Sequence, residues 1–259
     1  MVDDPQKTLS ELARLGARSP RRARLREGPL GRSGFIAVLP PQLAGPQQAL
    51  FDQWRGELAC GATRIGWKVG HDIPEVQSLV GDQPVIGCLT SRTLVRTGGE
   101  WCRRGEDLRA ETEFAVEVGA ELAAGAAPAT ATAAISGLCV ALEIVDLAYP
   151  PGDLDAIMDG NVFHRAVAFG PMQALERAEL GRATLHLDEV VHEAREPVPE
   201  PVWVVRSVAD VLGQFGETLL PGDRILSGSF VHQPLGAARS VSAAIENLGR
   251  ASLSIFGPP

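Results

Sequence analysis

The chain has 259 residues, 45% of them hydrophobic, which is enough for one sizeable core, while aromatics at 5% leave that core to Leu, Val, Ile and Ala. A formal charge of -8 opposes a nucleic-acid partner and leaves any anionic substrate to a local cation or a metal. No run reaches the roughly 18 apolar residues of a membrane span, no signal-peptide core follows the acidic start, and Cys60, Cys88, Cys102 and Cys139 show neither CxxC nor zinc spacing, so a cytoplasmic protein with free thiols is expected.

In chain order, residues 8–15 suit a short helix, and residues 18–32 (RSPRRARLREGPLGR) are dense in Arg, Pro and Gly. That stretch reads as a surface arm or as a basic, anion-binding patch. Leu50, Trp54 and Leu58 fall at i, i+4 and i+8, so residues 46–60 predict an amphipathic helix. Residues 63–70, TRIGWKVG, read as a strand closing on glycine. From Pro84 onward the chain reads as β-rich, with short apolar runs that suit strands: VIGCL, FAVEV, LEIVDLA, AVAFG, ATLHL, VWVV, RILSGSF and SLSIF. Two helices are expected among them, over the Ala-rich residues 130–142 and over residues 207–215, which open on a serine N-cap. Residues 193–201, EAREPVPEP, read as a Pro-rich loop or a hairpin tip. The resulting division is an N-terminal helical or arm segment over residues 1–60 and a β-rich domain over residues 61–259.

The chemistry concentrates in LRAETEFAVEV, residues 108–118. As a strand it puts Ala110, Thr112, Phe114, Val116 and Val118 on one face and Arg109, Glu111, Glu113 and Glu117 on the other. Two carboxylates two residues apart on one face repel, and a hard cation offsets that repulsion. The alternative is a solvated acidic face on an edge strand. Glu143 stands inside the apolar run GLCVALEIVDLA. A carboxylate buried there must be paired, protonated or metal-bound; otherwise it ends a helix and reaches water.

Lys68 is similarly placed in IGWKVG. Desolvation there favours loss of its proton, which suits proton transfer, whereas a charged amine suits carboxylate binding. A snorkelling lysine on a half-exposed strand is the bland alternative. His71 follows closely enough to line the same cleft, while His164, His186, His192 and His232 lack ligand spacing and are read as structural or surface residues. No GxSxG, P-loop or GxGxxG-helix pattern occurs, which argues against the serine-hydrolase, phosphate-loop NTPase and Rossmann dehydrogenase classes.

Six pieces stand in order: GWKVG, PEVQSLVGDQPVIGCL, LRAETEFAVEV, ALEIVD, MDGNVFHRAVAFGP and LPGDRILSGSF. Together they resemble the 2-keto-4-pentenoate hydratase and 4-oxalocrotonate decarboxylase family of the fumarylacetoacetate hydrolase superfamily, from about Gly61 to the C-terminus. The resemblance implies an α+β fold, a fumarylacetoacetate hydrolase C-terminal-like mixed β-roll with flanking helices, built around Mg2+ or Mn2+. It implies Glu111, Glu113 and Glu143 as metal ligands, Lys68 as the catalytic residue, and Asn161, Ser227 and Gly228 on the substrate side, where His71 joins them by its closeness to Lys68. The implied substrate is a small 2-oxo acid or its enol, and the implied assembly a homo-oligomer.

Hydration is the expected reaction. The alternatives are decarboxylation, a recruited isomerase, cyclase or C–C hydrolase (for which His71 and Glu75 are the available pair), and a non-catalytic binding subunit. Three departures bear on the choice. Val85 stands where the family hydratases carry Asp, which leans toward decarboxylation. Ala237, Ala238 and Arg239 replace a Gly-Asp hairpin turn, and the Arg-rich start departs from the family's helical one.

Overall fold

A computed structural model describes residues 39–70, 84–148, 153–178, 180–193 and 199–258. The expectations for residues 8–15 and 18–32, for His71 and Glu75, and for part of residues 193–201 lie outside them.

The first helix among the described residues, α1 (Pro41–Ala59), begins five residues earlier than the periodicity suggested. Pro41 takes the first turn, where a missing N–H is harmless, and Pro46, the expected start, lies inside the helix. Strands β1 (Arg64–Gly70), β2 (Val85–Thr90), β3 (Gly99–Cys102) and β4 (Leu108–Val118) follow. The expected helix over residues 130–142 is corrected: α2 (Pro128–Ala134) stops at Ala134, and β5 (Ile135–Asp146) begins at the next residue. Alanine favours helix, but residues 135–146 pair with β4 along nearly its whole length, and that tertiary pairing outweighs the local preference.

Then come α3 (Leu154–Asp159), capped by the Asp153 carboxylate accepting from the Ala156 N–H, β6 (His164–Phe169), β7 (Gln173–Ala174), β8 (Ala183–Leu187) and β9 (Val190–Glu193). A second correction concerns VWVV. It is not a strand but the start of α4 (Pro201–Gly213), which also absorbs the helix expected from Ser207. Pro201 fits the first helical turn, and Val204, Val205, Val208, Val211 and Leu212 form one buried helical stripe. Strands β10 (Arg224–Leu226), β11 (Val231–Pro234), β12 (Ser240–Ile245) and β13 (Gly249–Phe256) close the chain.

The described strands form two sheets. The larger runs β2-β1-β10-β4-β5-β6, with β11 also pairing β4 and β7 pairing β5; the smaller runs β3-β13-β12-β8-β9. One face of the larger sheet carries Trp67, Phe114, Leu142 and Ile144 into the main core, shared with Val241, Ala243 and Leu253 of the smaller sheet and with α1 and α4. The other face holds only a small apolar cluster around Leu89, Ala115, Cys139, Ala141, Val167 and Leu226. The glutamates of β4 (Glu111, Glu113 and Glu117) lie on this second face.

Edge strand β2 is sealed by side chains that imitate a missing neighbour strand. Gln47 of α1 accepts from the Ile86 N–H at 3.1 Å and donates to the Ile86 carbonyl at 2.7 Å. Asn161 does the same for Cys88, accepting at 2.8 Å and donating at 2.7 Å. Unpaired edges invite mispairing, and buried unpaired backbone groups are costly. Gln47→Leu is therefore expected to lower stability by about 2 kcal/mol in urea unfolding, because the orphaned groups of Ile86 have no water to turn to.

The cysteines follow the same burial. Cys60 is exposed, while Cys88 and Cys139 are buried. Burial pushes the Cys88 thiol well up and the Cys139 thiol up to about 12, so neither forms thiolate near pH 8. Peptide mapping after native-state alkylation is expected to find Cys60 modified and Cys88 and Cys139 intact until the chain is unfolded.

Candidate metal centre

Register builds the site. Glu111 of β4 stands directly opposite Glu143 of β5, and on its other side opposite His232 of β11. Glu113, one pleat along β4, shares their face. One oxygen from each of Glu111, Glu113 and Glu143 falls within 4.8 Å of the others. Glu143 is 0% exposed and Glu113 1%, so neither the solvated acidic edge nor the helix end describes them.

Each carboxylate is held by protein donors on one oxygen. Glu111 Oε1 meets His232 Nδ1 at 2.6 Å. Glu113 Oε2 accepts from the Gly228 backbone N–H at 2.8 Å. Glu143 Oε1 accepts from Lys68 Nζ at 2.7 Å and meets His164 Nδ1 at 2.6 Å. Glu143 Oε2 is buried with no hydrogen-bond partner among the described residues. A buried charged oxygen without a donor is costly unless something outside the chain meets it.

The charges agree with this. Burial, reinforced by Glu143 and Glu111, pushes Glu113 well above the usual carboxylate range. Burial also works against ionised Glu143, but the Lys68 ammonium and the His164 hydrogen bond outweigh it and hold the carboxyl at about 2. Three close carboxylates, one orphaned oxygen and an all-oxygen donor set fit a hard divalent cation of the Mg2+ or Mn2+ kind.

Lys68 sits on β1 between Gly87 of β2 and Leu226 of β10, on the same face as the carboxylates. At 4% exposure it does not snorkel. Desolvation works to lower its proton affinity, as read from the sequence, but the negative charge of Glu143, Glu111 and Glu113 wins and the net direction is upward. The amine is thus a charged donor here. Of its three hydrogens, two are engaged, by Glu143 and by the Val162 carbonyl at 3.0 Å. Its stem lies over Gly87, where an added Cβ would come within 2.6 Å of Lys68 Cγ.

The other expected residues fall around this centre. Ser227 and Gly228 link β10 to β11 along β4. The Ser227 hydroxyl accepts from the Phe114 N–H at 3.3 Å, and Gly228, at φ 94°, turns its own N–H onto Glu113. A side chain at that φ would be strained, which explains the glycine. Asn161 has both ends of its amide on Cys88. His71 lies outside the described residues.

Two histidines read as structural or surface residues belong to the centre. His164 is buried, and its Nε2 meets Thr93 Oγ1 at 2.8 Å. His232 is partly exposed, and its Nε2 faces Arg109 at 3.2 Å. They stand 21 and 121 residues from the carboxylates they touch, so no spacing rule could have found them. Asn161, Val162 and Phe163, just before His164, all have positive φ, at 53°, 52° and 67°. For a β-branched residue such as Val162 that is a costly conformation, about 1–3 kcal/mol, of a kind that clusters at functional sites.

No protein-family model matches the sequence, and no curated protein matches it. Solved structures do. 4-Oxalocrotonate decarboxylase from Pseudomonas putida G7, complexed with magnesium and adipate, superposes with a TM-score of 0.73 at 20% identity, over 83% of this chain and 86% of that one. The same enzyme complexed with calcium and acetate gives 0.72 at 20% identity over the same shares. Fumarylpyruvate hydrolase from Pseudomonas aeruginosa, in complex with Mn2+ and pyruvate, gives 0.55 at 18% identity, over 76% and 91%. At these identities the likeness is one of fold. It supports a mixed helix-and-strand fold of the fumarylacetoacetate hydrolase type. No described helix is long and apolar enough to cross a membrane.

Proposed function

We propose that this chain is a divalent-cation-dependent lyase of the fumarylacetoacetate hydrolase superfamily that acts on a small 2-oxo acid or its enol. The observation that carries the reading is the set Glu111, Glu113 and Glu143 on one sheet face, with the buried Glu143 Oε2 unpartnered. These three residues would hold Mg2+ or Mn2+, which supplies positive charge against the carboxylate and 2-oxo oxygens of such a substrate. Two structures of similar fold, one complexed with magnesium and the other with Mn2+, agree with that choice.

The chain's own residues then have definite tasks. Lys68 has a third N–H left after Glu143 and Val162, which is free to hydrogen-bond the substrate or to deliver a proton to its carbon skeleton. Gly228 fixes Glu113, Ser227 ties the same turn to Phe114 of β4, and Asn161 fixes β2 beneath the Lys68 stem. His71 completes the proposed substrate side. The low polarity of Val167, Ala141 and Leu226 around the face strengthens each charge by excluding water. The chain is further proposed to assemble as a homo-oligomer, which sedimentation tests.

Hydration is the first reading, and decarboxylation is the second. One observation favours the second: Val85, fully buried on β2, offers no carboxylate to orient a water where hydratases of the resembled family have one. The deciding assay supplies the Mn2+-loaded protein with a 2-oxo-4-enoic acid and, separately, with a 2-oxo-3-enedioic acid. Loss of the enol absorbance with water incorporation supports hydration, and CO2 release supports decarboxylation. Neither reaction with either acid overturns the lyase reading. Gly87→Ala is expected to cut whichever activity is found by about tenfold or more with the fold intact by circular dichroism, because the new Cβ displaces the Lys68 stem and misplaces its amine.

A further inference from the structure

Glu143 is held differently from its two neighbours. Two donors converge on one of its oxygens, and the other oxygen is left buried and bare. Lys68 reaches Oε1 from β1, and His164 reaches it from β6, the strand next to β5. The His164 ring is itself buried, and its far nitrogen rests on Thr93. Thr93 is not a loose loop residue. Its carbonyl accepts from the Val167 N–H at 3.0 Å, and the Val167 carbonyl accepts from the Val95 N–H at 2.9 Å. Val167 in turn stands opposite Glu143 in the register of β5 and β6. Thr93, His164 and Glu143 therefore form one line of side chains anchored at both ends to β6. The strained turn of Asn161, Val162 and Phe163 delivers His164 to this place, and the same turn offers the Val162 carbonyl to Lys68.

We propose that His164, backed by Thr93, is a positioning residue that locks Glu143 with Oε2 turned toward the cation. This rests on the cation-dependent reading above and adds to it a residue outside the ligand set. A carboxylate accepts only, so Nδ1 donates to Glu143, and the imidazole plane fixes the rotation of the carboxyl group that Lys68 alone leaves free about the Nζ···Oε1 line. Partners behind metal-bound carboxylates orient them in the same physical sense.

The test is Mn2+ binding to the full chain by calorimetry, with melting temperature recorded for every variant. His164→Leu is expected to weaken Mn2+ binding about 10–100-fold, while His164→Asn, whose amide nitrogen falls near the place of Nδ1, retains it to within about threefold. His164→Gln places its amide toward Thr93 rather than Glu143 and is expected to behave like His164→Leu. Should His164→Leu fail to fold, Asn against Gln decides: binding kept by Asn and lost by Gln supports the proposal, and equal binding by both overturns it. Wild-type affinity in a folded His164→Leu also overturns it. A wild-type chain that takes up no Mn2+ or Mg2+ sinks the cation centre itself, a separate failure from a wild type that binds while the His164 variants bind equally well.

Discussion

Lys68→Ala is expected to lower turnover about 10²–10⁴-fold while leaving divalent-cation binding in place. The two effects separate because of how the amine is used. Lys68 shares Glu143 Oε1 with His164, so its removal leaves the carboxyl still held by His164 and the partnerless Oε2 still available to a cation. It also removes a positive charge from among Glu111, Glu113 and Glu143, which favours a cation electrostatically. What disappears is the third N–H and the proton it carries. Breaking a buried pair costs about 3–5 kcal/mol when the remaining charge is uncompensated, so the cation-free variant is expected to melt well below wild type. Lys68→Met controls for this by filling the space over Gly87. Calorimetric Mn2+ titration and turnover are the two measurements. Activity within tenfold of wild type in both variants would remove the lysine from the mechanism, and loss of Mn2+ binding in both would make it a structural prop of the centre.

The separate legibility of these residues in the sequence has a physical basis. Period-two alternation in LRAETEFAVEV is a local property, so the acid face of β4 could be read directly, and the structure keeps Phe114 and Val116 on the core side. Glu143 and Lys68 announced themselves by solitude in apolar runs, because a buried charge demands a partner wherever the chain goes. The partner's identity is not local. His164 and His232 reach Glu143 and Glu111 only through the register of two strand pairs, β5 with β6 and β4 with β11, which nothing in their flanking residues encodes. Which of the two states of Lys68 prevails is hidden for the same reason: desolvation is visible from an apolar run, but the closeness of three carboxylates on other strands is not. The helix expected over residues 130–142 and the strand expected at VWVV show local propensity giving way to pairing with β4 in one case and to a buried helical stripe in the other.

Glu113→Gln carries the second large expectation, a change of sign with metal. Glu113 Oε2 accepts the Gly228 N–H, and a glutamine oxygen can do the same, so the local fold is retained. Without a cation, the substitution removes a buried charge that burial, Glu143 and Glu111 all disfavour. The metal-free variant is therefore expected to melt at or above metal-free wild type. With Mn2+ at about 100 times its dissociation constant, wild type gains about 2.7 kcal/mol, equivalent to roughly 5–10 °C in a chain of this size. The variant, short of one anionic ligand, is expected to gain little, so the order of the two melting curves reverses. An acidic cluster that served only to balance Lys68 predicts no such reversal: its variant would differ from wild type by the same amount with and without Mn2+. Parallel shifts in both proteins would therefore dismiss Glu113 as a ligand, whereas a crossing requires a cation that binds the folded chain through this side chain.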